Sequence, residues 1–503
     1  MAVTGVVAGK LTPAPVKQTL ASAYLDFANG TNDWAQQYLP DLMEKEAEVF
    51  GNRTISGFLS QVGAEESMTS DQVIWSEQGR LHLSYTNVNA ADVGTGGTLT
   101  FNAAAKDPDG NVVAATAHGI RPGDMLLLSD ANATVRVFVQ SVDAAGLVTY
   151  ERYDGHDTGD QDITGTDNVT VLVYGSEYVK GSVGRVGANK PTHKSRSNKP
   201  IIIKDKYEVS GSDASAIGWV EISGEEGQNG YLWYLKASGD TKARFSDYLE
   251  MAMLESVTVT SSAAAPAGNT VMGHSTVTNA TGAILGTEGL WEALEDRGNI
   301  STAFDGDVTA ALALTEMDDI IIELDKQGAI EENMMFLDRG AALNIDDMLA
   351  GMNSAAAGNT STSWGVFNNS EDMALNLGFS GFRRGSYDFY KSDFKYLNDH
   401  ATRGLINDTD LVGAIHGVLI PAGVSSVYDQ SLGKNLKRPF LHVRYRASNL
   451  ESRKYKTWTT GSVGATTSDL DAMEMHFLSE RCLVVQGANN FVLLKGAAGS
   501  SNP

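Results

Sequence analysis

Residues able to do chemistry are thinly scattered along this chain. Asp154-Gly155-His156-Asp157, followed by Asp160 and Asp162, carries enough oxygen ligands for Ca²⁺. It lacks the EF-hand spacing and the closing bidentate Glu, so it reads as a solvated acidic loop. Asp107-Pro108-Asp109-Gly110-Asn111 has a similar composition and is better explained as a hairpin turn. No two of the nine histidines stand at metal-ligand spacing. His416, inside an apolar run, reads as a core or interface histidine. The one cysteine, Cys482, sits in Arg481-Cys482-Leu483-Val484-Val485. That excludes an internal disulfide and a thiolate zinc site, and it points to a buried thiol. No Walker loop, G-x-S-x-G elbow or H-E-x-x-H helix is present. The expectation is a protein that is not an enzyme and uses no cofactor or metal.

What remains is charge. One basic stretch runs Lys180, Arg185, Lys190, Lys194, Arg196, Lys199, Lys204 and Lys206 against a lone Asp205. A second joins Arg438, Arg444, Arg446, Arg453, Lys454 and Lys456 with Tyr455 and Trp458. Cations interleaved with aromatics can touch nucleic acid, and they can equally meet an acidic protein surface. The chain as a whole carries −24, which argues against a protein that grips duplex DNA over its surface. In a chain this acidic, the nearest acidic surface is another copy of itself. The first stretch is read as a subunit contact in preference to nucleic acid; for the second both readings stand. With Trp75 these give the candidate intersubunit contacts: Trp75, Lys190, Lys194, Arg196, Lys199, Arg444, Arg446, Arg453 and Lys454.

The elements that would position such contacts follow from pattern. Gly230–Val257 reads as one long helix, with Phe245, Leu249, Ala252 and Met253 on one face and Lys242, Asp247 and Glu250 off it. At 1.5 Å per residue it spans about 40 Å, and Gly239, costing roughly 1 kcal/mol against Ala, is where it would kink. Residues 1–50 have no core of their own: Gln18–Ala28 and Asp41–Phe50 read as short amphipathic pieces of an arm lying on something else. Asp71–Val88 alternates through Val73, Trp75, Leu81, Leu83 and Tyr85, a hairpin candidate turning at Gln78-Gly79. From Asp92 to Tyr178 short Val- and Thr-rich strands alternate with turn signals, which predicts a small β-barrel or sandwich set between two legs of a β-arm, 71–90 and 179–210.

Beyond the long helix, Val257–Ala280 reads as a mobile connection rich in Ser, Ala, Thr and Gly. Thr287–Arg297 is a helix with Leu290, Trp291 and Leu294 inward and Gly298 as its cap. Thr315-Glu316-Met317-Asp318 resembles a capping box for a helix that buries Met317, Ile320, Ile321 and Leu324 and stops at Gly328. Met334–Leu337 is a short strand and Arg339–Met352 another helix. Trp364–Tyr396, Val412–Ala422, Phe440–Tyr445 and Ser479–Leu494 return to β character. The chain has 503 residues, too many for a single core, so two or three packed regions are expected. The opening MAVTGVVAGK shows no signal peptide, and no apolar run approaches the ~20 residues of a membrane span. A reducing cytoplasm is the expected site of synthesis and assembly.

This order of parts resembles the Hong Kong 97 fold of tailed-bacteriophage major capsid proteins, in a long variant with an inserted β-domain. Local text is similar too: Tyr207-Glu208-Val209-Ser210-Gly211, Trp233-Tyr234-Leu235-Lys236, Arg244-Phe245-Ser246-Asp247-Tyr248-Leu249-Glu250, and Glu331-Glu332-Asn333-Met334-Met335-Phe336-Leu337-Asp338-Arg339. The resemblance implies an α+β capsid fold divided as follows: N-terminal arm 1–70; E-loop 71–210 with an all-β insertion at about 92–178; P-domain spine helix 211–260; A-domain 261–430; P-domain C-terminal strands and tail 431–503. It implies hexamers and pentamers of the chain in an icosahedral head, assembled in the host cytoplasm. The implied partners are a portal, a decoration protein, and packaged double-stranded DNA held by weak non-specific contact. The arm is too short for a cleaved scaffolding segment, so a separate scaffolding protein is expected. The alternative is an exported or surface-layer β-rich binding protein whose β-domain binds carbohydrate; an export signal would favour it, and none is seen.

Overall fold

The structure is a computed structural model. It describes residues 58–59, 64–80, 82–93, 96–131, 133–155, 163, 165–185, 187, 193–212, 221–223, 229–258, 286–301, 310–328, 330–355, 381–407, 413–422, 424–429, 434–463 and 466–496. Everything below belongs to the unit Ile55–Pro503. The arm pieces Gln18–Ala28 and Asp41–Phe50 lie outside the described residues, as do most of Val257–Ala280 and the start of Trp364–Tyr396. The architecture is mixed and rich in sheet.

The chain enters through β1 (Ala64–Met68) and β2 (Val73–Gln78). A closed barrel follows: β3 (Ser84–Val93), β4 (Gly96–Thr100), β5 (Asp124–Ser129), β6 (Thr134–Val142), β7 (Val148–Arg152) and β8 (Gly165–Ser176), in the order β3-β4-β7-β6-β5-β8. Period-2 alternation builds it: Leu126, Leu128, Val135, Val137, Val139, Val148, Tyr150, Val169 and Val171 are buried in one interior. The turns are where Gly allows positive φ, at Gly110, Gly123 and Gly146. At Gly146 a Cβ would meet the Ala115 carbonyl oxygen at 1.9 Å, so no larger residue fits. His118 is buried in this barrel, stacked on Phe101 at 4.5 Å; its Nδ1 accepts from the Ile120 N–H at 3.1 Å.

Two sequence expectations change here. The barrel begins at Ser84 rather than near Asp92. The Gln78-Gly79 hairpin does not form: β2 pairs antiparallel with β9 (His193–Asn198), Val73 opposite Asn198 and Gln78 opposite His193. The alternation was real, and its partner lies in the second leg expected of the β-arm, 179–210. Tyr85 and Val88, which the hairpin would have used, are buried in the barrel instead.

Strand β10 (Ile201–Ser210) then lies antiparallel on the C-terminal half of the molecule, and β11 (Glu221–Ser223) with β12 (Asn229–Tyr231) makes a small ribbon. The long helix is α1 (Leu232–Glu255), unbroken across Gly239, where an added Cβ would meet nothing within 4 Å. Phe245, Leu249 and Met253 are buried as the periodicity requires. Glu250, expected off the stripe, is buried, and its carboxylate accepts from the Leu59 N–H at 3.2 Å. A carboxylate can enter a core when such a partner is supplied, and no local pattern announces the partner.

The remaining elements are α2 (Leu290–Arg297), β13 (Asn299–Ser301), α3 (Ala310–Gln327), β14 (Glu332–Leu337), α4 (Arg339–Ala355), β15 (Gly381–Arg384), β16 (Tyr387–Asp393), the short α5 (Lys395–Asn398) and α6 (Gly404–Asn407), β17 (Ile415–Pro421), the ribbon β18 (Val424–Asp429) and β19 (Lys434–Pro439), β20 (Leu441–Arg446), β21 (Lys456–Gly461), β22 (Ala472–Val485) and β23 (Val492–Lys495). Thr315 is not a cap: α3 begins at Ala310, because Ala310-Ala311-Leu312-Ala313-Leu314 is itself strong helix-forming sequence. It ends at Gly328, φ +65°, as expected. Two sheets dominate. One runs β1-β20-β22-β10, with β21 also on β22, and α1 packs across it through Phe245 and Phe477. The other runs β13-β23-β17-β14-β16-β15, with α3 and α4 packed through Met317, Ile320, Leu324 and Ile345.

Candidate subunit-contact surfaces

The first basic stretch lies along β9 and its flanks. Trp75, opposite Arg196, is buried at 7% exposure within its own chain. Its Nε1 donates to Glu77 Oε1 at 3.1 Å, and the Arg297 guanidinium sits 5.9 Å from its ring centroid. Arg196 reaches Glu77 at 3.9 Å and Asp296 at 4.0 Å. Arg185 holds the buried Asp124 at 3.0 Å; burial pushes that carboxyl above its ordinary range. Lys206 bridges Glu208 and Glu474 at 2.8 and 2.9 Å. Lys180, Lys194, Lys199 and Lys204 are exposed, and among the described residues no carboxylate pairs with them. Lys190 lies outside the described residues.

The second stretch is arranged differently. Arg444 pairs with Glu66 at 2.6 Å, and Lys454 pairs with Glu65 and sits over the Tyr445 ring at 5.4 Å. Arg446 bonds Asp71 and reaches Glu480 at 3.1 Å, and Arg453 reaches Glu480 at 3.0 Å. Lys456 holds Glu451 at 2.7 Å and keeps that carboxyl below its usual range. Glu65, Glu66 and Asp71 come from β1 and the residues just after it, and β1 runs parallel to β20, Ala64 opposite His442. Arg444, Arg446 and Lys454 therefore fasten the entering strand to its sheet.

Sequence reasoning missed several anchors. Buried Asn198 has its whole amide engaged: Nδ2 donates to the carbonyls of Glu288 (3.0 Å) and Leu483 (2.7 Å), and Oδ1 accepts from Thr287 Oγ1 (3.0 Å) and the Glu288 N–H (2.9 Å). It ties the base of the β2–β9 ribbon to α2 and β22. Glu255, at the end of α1, accepts from Trp291 Nε1 (3.1 Å), Tyr396 Oη (2.5 Å) and Arg403 (2.5 Å). Burial and that carboxylate together raise the Tyr396 phenol. Asn198 stands before Lys199-Pro200 with nothing local to mark it; Glu255 is one acid among many.

His416 lies in the buried strand β17 with Nδ1 2.7 Å from Asp338 Oδ2, and Asp338 Oδ1 accepts from the Ala341 N–H at 2.6 Å, capping α4. Burial pushes the Cys482 thiol up to about 12. Arg152 clasps Asp154 at 2.9 Å, while 156–162 lie outside the described residues. Among the described residues no group of three His, Cys, Asp or Glu could hold a metal ion, and no helix is long and apolar enough to cross a membrane. A cavity of about 160 Å³ lies between β13 and α3.

No family model and no curated protein matches the sequence. Among solved structures the chain is similar to the capsid of cyanophage P-SCSP1u, at 9% identity over 97% of this chain and 99% of that one, TM-score 0.40. It is similar to a Mycobacterium phage Ogopogo structure at 10% identity, covering 93% and 99%, TM-score 0.38. It is also similar to the mature capsid of bacteriophage PhiM1 at 8% identity, covering 92% and 93%, TM-score 0.35.

Proposed function

We propose that this chain is a structural subunit, the major capsid protein of a tailed double-stranded DNA bacteriophage with the Hong Kong 97 fold. It self-assembles as hexamers and pentamers into the icosahedral head of the virion. The observation that carries this reading is the β2–β9 ribbon: two strands with the barrel inserted between them, Ile74 exposed at 67%, and a flank of exposed lysines. A two-stranded ribbon is marginal in water, so such an arm gains stability by burying surface on a neighbour. On this reading β1 belongs to the N-arm and 71–210, β10 included, to the E-loop; α1 with β20, β21 and β22, on which β1 and β10 pair, belongs to the P-domain; β13 to β17 belong to the A-domain, whose sheet the C-terminal strand β23 joins. Of the candidate contacts, Lys194 and Lys199 are the exposed ones that face a neighbour; Arg444, Arg446 and Lys454 position the arm strand, and Arg453 shares Glu480 with Arg446. An acidic subunit also suits a container of packed DNA, whose walls must not hold phosphate tightly.

The test is electron microscopy of the expressed chain, alone and with a candidate scaffolding protein. Closed shells or six-fold rings are expected. A strict monomer at high concentration under both conditions overturns the reading.

A further inference from the structure

Two features of the molecule complement each other in shape and charge. The first is the cavity of about 160 Å³ beside β13, the end strand of its six-stranded sheet. Its apolar wall is Ile300, Ile320 and Leu324, and its rim carries Glu316, Asp319 and Glu323, the last already paired with Lys326 at 2.6 Å. Cavities of roughly this size, about 150 Å³, accept an apolar group as large as benzene. The second feature is the turn that leaves the barrel after β8. Gly181, at φ +81°, lets the chain reverse, and the Ser182 N–H donates to the Val179 carbonyl at 3.0 Å. This holds Val179 and Val183 in solvent at 82% and 83% exposure, with exposed Lys180 between them. Covering both valines removes apolar surface from water, which favours a partner that fits them.

We infer that the Val179–Val183 turn of one copy docks in the β13–α3 groove of a second copy. The valines enter the cavity, and Lys180 meets the acidic rim at Asp319. Charge complementarity selects this occupant: an aliphatic knob carrying a cation fits an aliphatic pocket ringed by carboxylates. The basic stretch at 444–456 does not supply such a knob, because its cations are already paired within the chain. Knob and groove are different surfaces, so the contact is heterologous, and repeated copies close into a ring or run on as a filament. The contact is small beside the ~800 Å² per partner of a stable pairwise interface, so it holds only when repeated. The inference rests on the subunit reading and names which surfaces mate.

Two full-length variants, Val183→Cys and Ile300→Cys, test it. Cys482 is buried and its thiol is raised to about 12, so it stays silent. The variants are mixed, assembled and mildly oxidised, with circular dichroism checking that each folds. An interchain disulfide is expected in the mixture and not in either variant alone. Lys180→Glu on the knob chain should lower the yield several-fold, and Asp319→Lys on the groove chain should restore it. Shells or rings that form without this disulfide overturn the docking and leave the capsid reading standing. If neither shells nor rings form, the capsid reading fails. The same oxidation of the concentrated soluble mixture then decides the docking: a disulfide sustains it, and none overturns it. Equal cross-linking by Val183→Cys chains alone also overturns it.

Discussion

The two basic stretches look alike in sequence and are used differently: the second is paired from Arg444 to Lys456, whereas among the described residues of the first only Arg185, Arg196 and Lys206 are. Along Arg444–Lys456 each described cation finds a carboxylate, and three of those acids, Glu65, Glu66 and Asp71, arrive with the entering strand β1. Along Lys180–Lys204 the lysines at 180, 194, 199 and 204 face solvent, and the ribbon is fastened at its base by the neutral amide of Asn198. The comparison teaches that cation density does not identify a docking surface. What matters is whether the fold delivers acids to the same place. Where it does, the charges set the register of a strand; where it does not, they remain available to another molecule.

Breaking the neutral anchor should have the largest effect. Asn198→Ala leaves the Glu288 N–H and two carbonyls without their partners, and it should cost about 3 kcal/mol in a denaturant titration. A smaller loss would mean the charges along the ribbon share the work of holding it. Next is Glu480→Gln, which strips the shared carboxylate from Arg446 and Arg453. It should cost about 2 kcal/mol, less than a fully buried pair would, because both arginines reach solvent. If it is silent, the second stretch is as free as the first. The triple change Lys180→Gln, Lys194→Gln, Lys199→Gln should shift the unfolding midpoint by less than ~0.5 kcal/mol, as surface charges do. It should nevertheless slow assembly, followed by light scattering, and flatten its salt dependence; a large stability loss instead would place those lysines in unseen internal pairs.

The smallest effect is the pH dependence of the neutralised region. Hydrogen bonds from Lys456 and Lys206 lower the carboxyls of Glu451 and Glu474 below the ordinary 4.5. A carboxyl depressed on folding binds fewer protons in the native state, so its stabilising effect is complete above 4.5 and fades as pH falls through the lower folded value. Thermal midpoints measured from pH 6 to pH 3 should therefore decline below 4.5. Lys456→Met should make that decline shallower, whereas Lys194→Met should leave it unchanged.

Much of the local structure was legible beforehand because its causes are local. Leu126, Leu128, Val135, Val137 and Val139 alternate because a strand alternates, and the turn glycines mark where only glycine fits. Phe245, Leu249 and Met253 recur on one helical face, and α3 stops where Gly328 permits a left-handed residue. Of the candidate contacts, the residue types could be picked out, but not which of them the chain itself would occupy. Trp75 looked available and is covered by Arg297 from α2.

By itself, then, the sequence determined the core of most described helices and strands, which faces are apolar, that no disulfide can form within the chain, and that the protein is strongly acidic. These follow from backbone sterics, side-chain period and composition, all properties of neighbours along the chain. Tertiary structure alone decided the register in which β2 meets β9, Val73 opposite Asn198, that Glu250 goes inside to meet Leu59, and that Glu480 joins Arg446 to Arg453. Each of these joins residues far apart along the chain. Which partner wins is set by how much surface the whole fold can bury, a quantity that no window of sequence contains.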